Sequence, residues 1–241
     1  MKDTIKLVSD KKPLMIAHRG MSGLELENTA SAFVAAGQRS HFGIETDVHR
    51  TSDGQYIIFH DDNTRRIAGD EMIVEDTCFE TLRSIRLQDK DGKKGRKDLI
   101  MPSLQEYIGI CRKYEKTAVL ELKNHFVPED IDGIIGIIRE QEYLDQTIFI
   151  SFDLPNMICI RAKLPDQRAQ FLIKEPTDWL LDTLVANRLD LDIKHTGLTP
   201  EYAKLLHENG IKINVWTVDT LEDAQRMIDC GVDYITSNIL E

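Results

Sequence analysis

Eight short runs rich in β-branched and other apolar residues recur along the chain with helical patterns between them, and this alternation constrains the fold more than any other feature. The runs are Leu14–Ala17, Gly43–Val48, Ala118–Leu122, Thr147–Ser151, Gln170–Ile173, Leu189–Ile193, Ile213–Val218 and Tyr234–Thr236. Amphipathic stretches such as Asn28–Ala36, Ser103–Tyr114, Glu129–Glu140, Pro155–Ala162 and Pro200–Asn209 separate them. Strands that alternate with helices pair in parallel, because each return to the same edge of a sheet needs a crossover. Eight such units in 241 residues suit a closed (β/α)8 barrel. An open, doubly wound sheet is the second choice, but it calls for a Gly-rich first turn, and His18-Arg19-Gly20 is not GxGxxG.

A ninth run, Tyr56–Phe59, follows the turn signal Ser52-Asp53-Gly54 and should pair with the second strand as a hairpin. From Asp61 to about Met101 the rhythm lapses, and Gln88–Asp98 is almost wholly polar. Loops this long tend to be functional or mobile. The stretch reads as a small insertion after the second strand and its hairpin, over one rim of the barrel, too small to be a separate domain. Residues 1–241 then form one domain. Five residues follow the last strand, so the eighth helix is absent or replaced, and the first 13 residues are candidates to cap the barrel floor.

The net charge of −11 disfavours a polyanionic partner such as duplex nucleic acid. Any phosphate ester must therefore be held by local positive charge or by a metal. Cys78, Cys111, Cys159 and Cys230 are widely spaced and form no CxxC pair, which points to free thiols. No apolar run approaches the roughly 20 residues of a membrane span. The opening MKDTIKLVSDKK lacks the apolar stretch of a signal peptide. The chain as it stands reads as cytoplasmic, or as exported if a signal was removed. Oligomeric state is not legible.

In a barrel, residues at i and i+2 on a strand face the same way, and active sites gather at the C-terminal strand ends. Those ends carry His18 and Arg19, Glu45 and Asp47, His60 after the hairpin strand, and Glu121 and Lys123. Glu45, Asp47 and Glu121 would repel one another unless a hard divalent cation, Mg²⁺ or Ca²⁺, sat between them. Scattered, solvated acids are the bland alternative, and their recurrence at strand ends argues against it. His49 shares their face, but imidazole suits these cations poorly, so an outer position is expected. Two histidines suit paired acid–base work at neutral pH, as phosphodiester cleavage requires. Arg19 and Lys123 supply donors for phosphate oxygens. Asn28 reads as a helix N-cap rather than a catalytic group. His41, His125, His195 and His207 read as satisfied core or surface residues, with His195 within reach of a rim. Trp216, by spacing alone, reads as core.

At these residues the sequence resembles the glycerophosphodiester phosphodiesterase family. His18-Arg19-Gly20 with Leu26-Glu27-Asn28-Thr29 is similar to its opening HRG…PENT signature, with Leu26 in place of proline. Ile44–Val48 through Ser52-Asp53-Gly54 to His60-Asp61 resembles its second block, and Glu121-Leu122-Lys123 its third. Met101-Pro102-Ser103-Leu104, Ser151-Phe152 and Asn214-Val215-Trp216-Thr217-Val218 fit as well, so the likeness runs from about residue 14 to 238. Thr236-Ser237-Asn238-Ile239 departs from the family's TDYP-like ending, which puts contacts from the last strand end in doubt.

The resemblance implies a TIM barrel that hydrolyses small, soluble glycerophosphodiesters to sn-glycerol 3-phosphate and an alcohol. It implies His18 and His60 as the acid–base pair, Glu45, Asp47 and Glu121 as holders of one divalent metal, and Arg19 and Lys123 on phosphate. It also implies that Trp216 lines the pocket for glycerol or the head group. Two alternatives are a phospholipase-type relative that stops at a cyclic phosphate and a non-catalytic binding barrel. Against the first stands the lack of a basic amphipathic helix. Against the second stands the presence of His18, His60, Glu45, Asp47, Glu121 and Lys123 together.

Overall fold

Parallel pairing carries the chain once around a closed barrel in the computed structural model, which describes residues 3–241. Its strands are β1 (Leu14–Ala17), β2 (Gly43–Arg50), β3 (Tyr56–Ile58), β4 (Thr117–Leu122), β5 (Thr147–Ser151), β6 (Ala169–Ile173), β7 (Asp190–Lys194), β8 (Ile213–Trp216) and β9 (Tyr234–Ser237). The order β1-β9-β8-β7-β6-β5-β4-β2 closes through a parallel β1–β2 pair, giving the expected (β/α)8 barrel. β3 lies outside that ring, antiparallel to β2, as the hairpin signal required.

Inward and outward residues alternate as a barrel demands. On β4, Val119 joins an inner cluster with Ile16, Ile148, Ile150, Leu172 and Tyr234. Its neighbours Ala118, Leu120 and Leu122 pack outward into the larger layer beneath the helices. The helices start where local chemistry lets them. Ser103 and Glu106 form a reciprocal capping box at the head of Leu104–Lys113. Proline opens Pro128–Glu140 and Pro200–Glu208, where its missing N–H costs nothing. No helix among the described residues is long and apolar enough to cross a membrane.

The stretch after β3 is more than a loop. It holds two short helices, Arg65–Ala68 and Phe79–Ser84, around an apolar cluster of its own that includes Phe59, Ile67, Val74, Leu82, Leu87 and Leu99. Leu26 and Ile57 tie that cluster to the barrel side.

Among the described residues no helix follows β9. Instead the chain end meets the beginning: the Ile5 and Leu7 amides donate to the carbonyls of Ile239 and Glu241, and Glu241 N–H donates back to Ile5. The Glu241 carboxylate accepts from the Ser40 amide and hydroxyl, and His41 Nε2 bonds the Leu240 carbonyl at 3.0 Å. Ser40 and His41 precede β2, so this junction closes the floor side of the barrel.

His41 is buried, and its Nδ1 has no partner. Burial pushes the imidazole down to about 4. The unfolded chain takes up this proton below about 6.5, whereas the folded chain refuses it until about 4. Stability contributed by neutral His41 is therefore present at pH 7 and is lost as pH falls across that window. Urea unfolding should show a His41→Gln variant less weakened than the parent between pH 7 and pH 5, by about 2 kcal/mol at roughly 1.4 kcal/mol per pH unit below 6.5. Equal pH slopes would contradict this.

Candidate active site

The register between β2 and β4 sets Asp47 beside Glu121. Glu45, two residues back along β2, faces the same way, and carboxylate oxygens of all three lie within 4.8 Å of one another. All three side chains are buried. Each is held from a different side. Glu45 Oε2 accepts the Arg19 backbone N–H at 2.7 Å. Asp47 Oδ2 accepts from Asn28 Nδ2 at 2.7 Å, and Lys123 Nζ stands 2.8 Å from Glu121 Oε1 and 3.3 Å from Asp47 Oδ1.

Three buried acids so close cannot all carry charge unaided. Burial would raise Asp47, but Lys123 and Arg19 outweigh it and keep that carboxylate ionised. Burial, reinforced by Asp47 and Glu121, pushes Glu45 far up, and burial with Asp47 lifts Glu121 to about 7. Asp47 Oδ1 accepts no hydrogen bond although it is buried and faces Lys123. A buried hard oxygen left open, beside two acids whose carboxyls are pushed up by burial and by their neighbours, fits a divalent cation with oxygen ligands. The three carboxylates meet, as their spacing on the strands led one to expect. His49 stays out of it: its ring bridges Glu75 Oε1 and the His60 carbonyl.

The two histidines face the same cleft, which is lined by His18, Arg19, Glu45, His60, Glu121 and Lys123 on one side. The other side is formed by Ile150, Phe152, Leu172, Asp192, Trp216 and Thr236. His60 Nδ1 lies 2.6 Å from Asp61 Oδ1, and a carboxylate can only accept, so Nδ1 carries the proton. His18 Nδ1 lies 2.8 Å from Asn238 Oδ1. Asn238 Nδ2 donates to Asp219 Oδ2 at 2.6 Å, which orients the amide so that its oxygen receives both Ser22 Oγ and His18 Nδ1–H. His18 is thus the Nδ1–H tautomer with Nε2 unprotonated. Burial and the Arg19 charge hold it down at about 4, and burial also lowers His60.

A charged chain ties the rim together. Arg19 Nη1 donates to Glu27 at 2.7 Å, Arg66 grips the same carboxylate through both terminal nitrogens, and Arg66 Nε reaches Asp61 Oδ2 at 2.6 Å. Arg66 belongs to the insertion, so the segment after the hairpin steadies the partner of His60.

Two readings need correction. Asn28 is not the helix cap: Thr29 accepts from the Ala32 amide, while Asn28 sits at φ 53° with its amide spanning Thr46 Oγ1 and Asp47 Oδ2. The departure at Thr236-Ser237-Asn238-Ile239 does not remove the contact from the last strand end, since Asn238 makes it. Trp216 packs against the inner cluster but also lines the cleft, edge-to-face with Phe152 at a centroid distance of 5.6 Å. Glu27, Asp61 and Asn238 entered the sequence reading only as members of motifs, without a role, and Arg66 and Asp192 were not singled out by sequence. His125 and His207 make surface pairs with Asp153 and Asp233. His195 lies near Asp223 and Arg226, away from the cleft lining.

Residues 18–240 match the Glycerophosphoryl diester phosphodiesterase family. The chain belongs to that family. A glycerophosphodiester phosphodiesterase of Caldanaerobacter subterraneus subsp. tengcongensis is 30% identical over 233 residues, with 94% of each chain covered. One from Bacillus altitudinis is 28% identical over 234 residues, 92% of each. Among solved structures, a phosphodiesterase of Oleispira antarctica in complex with the product sn-glycerol-3-phosphate superposes with a TM-score of 0.85 at 25% identity, over 95% of this chain and 94% of that one. Membership in the glycerophosphoryl diester phosphodiesterase family bears out the expectation of an enzyme over a binding barrel.

Proposed function

We propose that residues 1–241 act as one catalytic domain that hydrolyses small, soluble glycerophosphodiesters to sn-glycerol 3-phosphate and an alcohol. The observation that carries this reading is one cleft, in a chain of this family, that joins two oriented histidines to three clustered carboxylates. Glu45, Asp47 and Glu121 would hold one divalent cation, Mg²⁺ or Ca²⁺, which when bound polarises the phosphoryl oxygens.

Arg19 and Lys123 offer N–H donors to the remaining phosphoryl charge, Arg19 through its planar fork and Lys123 as a point charge. His60 removes the proton from the attacking oxygen. Asp61, already bonded to Nδ1, stabilises the imidazolium that forms, as a carboxylate does behind a catalytic histidine. His18 gives a proton from Nε2 to the leaving alkoxide. A bound phosphodiester anion beside His18 favours its protonated form and counters the burial that lowers the imidazole. The attacking oxygen is either the glycerol 2-hydroxyl, giving a cyclic phosphate that water then opens, or water itself. Trp216 walls the side where glycerol or the head group sits.

The test is a product assay with glycerophosphocholine. Equal release of sn-glycerol 3-phosphate and choline, abolished by EDTA and restored by added Mg²⁺ or Ca²⁺, is expected. A cyclic phosphate as the final product would favour a phospholipase-type lyase, and full turnover in EDTA would remove the metal from the reading.

A further inference from the structure

The strand that leads to His60 gives out before the residue itself. β3 ends at Ile58, and the Phe59 N–H closes the hairpin by donating to the Asp47 carbonyl at 3.0 Å. Beyond that bond the His60 carbonyl is met by a side chain: His49 Nε2 lies 3.3 Å from it. Asp61 fixes the His60 ring through Nδ1, but the main chain that carries the ring is held from His49.

His49 is fully buried on β2, and its other nitrogen, Nδ1, lies 2.9 Å from Glu75 Oε1. Asn124 Nδ2 donates to the same oxygen at 2.9 Å and to Asp62 Oδ1 at 3.1 Å. Glu75 comes from the insertion, and two backbone bonds bring it back to this point. Thr64 N–H donates to the Met72 carbonyl at 3.0 Å, and Val74 N–H to the Asp62 carbonyl at 2.9 Å. One carboxylate oxygen thus joins β2, the segment after β4 and the insertion. The bonds from His49 and then Asn124 hold the Glu75 carboxyl below its ordinary range against the burial that opposes them.

Without Glu75 the buried Nδ1 of His49 is left unmet, a state that proteins avoid, and the ring turns to find a partner. Turning it gives up the His60 carbonyl. A displacement of about 1 Å in a positioned group can cost about 10²-fold in rate, so this bond reaches the chemistry.

We infer that Glu75 is a positioning residue, acting through His49 to set where the main chain of His60 stands. Glu75 itself lies outside the cleft lining. The inference rests on the proposed acid–base role of His60 and adds a second support from the insertion, separate from the contact of Arg66 with Asp61.

The test is a double-mutant cycle on glycerophosphocholine hydrolysis. Glu75→Ala should lower kcat by about 10- to 100-fold and leave KM within about 2-fold, because Arg19 and Lys123 keep their own partners. In a His60→Ala background the same change should lower kcat by less than about 2-fold, since no imidazole is left to place. Glu75→Gln keeps an oxygen that accepts from both His49 and Asn124, so its kcat should lie nearer the parent than that of Glu75→Ala. The Glu75 side chain is 37% exposed, so truncating it opens no internal void. An equal loss in both backgrounds, no loss in the first, or no recovery in Glu75→Gln overturns the inference. An NMR readout needs no turnover: the His60 Cε1–H resonance, assigned by its absence from His60→Ala, should move in Glu75→Ala while that of His18 stays in place. A His60 resonance that does not move also overturns the inference. A parent that yields no sn-glycerol 3-phosphate, yet shows the expected NMR shift, would instead sink the proposed function.

Discussion

Replacing His60 by alanine is expected to lower kcat by about 10²–10⁴-fold, the usual worth of a positioned proton-transfer group. Stability should hardly change. His60 is about a third exposed, with a side-chain accessibility of 30%, and its removal leaves Asp61 still bonded to Arg66. No buried charge is stranded, so the variant should unfold within roughly 0.5 kcal/mol of the parent. The same experiment separates the two histidines. A p-nitrophenyl ester of glycerol 3-phosphate has a leaving group that departs without protonation. On it, His18→Ala should recover most of its lost rate if His18 is the acid, whereas His60→Ala should remain slow. Recovery in His60→Ala alone would reverse the two roles.

Glu45→Gln should separate activity from stability in the opposite sense. The amide oxygen can still accept the Arg19 N–H, but one of the three charges proposed to hold the metal is gone. Loss of electrostatic stabilisation of this kind costs at least about 10²-fold in turnover. In EDTA, however, the variant should melt higher than the parent. Burial and the neighbouring acids raise the Glu45 carboxyl far above its ordinary value. For such a group the unfolded chain loses its proton near pH 4.5 while the folded chain keeps it, so stability falls as pH rises from there. Gln escapes that loss. The gain in melting temperature should be clear at pH 8, at roughly 2–4 °C per kcal/mol for a chain of this size, and should close toward pH 5. Added metal should raise the melting point of the parent and much less that of the variant. A Glu45→Gln protein that melts lower in EDTA at pH 8 would show that the cluster is not under repulsion.

The barrel was legible because each strand carries its own signal. β1 and β5 fall on the runs expected from sequence, and the other barrel strands shift by one or two residues where pairing overrides composition. β2 runs on to Arg50 because β3 pairs with its last residues. Glu45, Asp47, Glu121 and Lys123 were legible because strand spacing puts them on one face. Asn28 was misread because Asn28 and Thr29 both suit an N-cap, and only the backbone at φ 53° shows which turns toward Asp47. Asn238 meets His18 across a separation of 220 residues. Barrel closure creates that contact, and no local pattern announces it. Asp192 was passed over although Asp190 and Asp192 share one face of their strand, the spacing that singled out Glu45 and Asp47.

The two histidines proposed as the acid–base pair are held by differently packed surroundings. His18 stands on the barrel, while His60 leans on Asp61 and Arg66, next to an apolar cluster that the insertion assembles for itself. Both tryptophans of the chain, Trp179 and Trp216, lie on the barrel side. Intrinsic fluorescence is therefore blind to the insertion. Any loosening of the insertion on warming would leave the emission spectrum unchanged, so a protein judged intact by its indoles could already have lost the support of the histidine proposed as its base.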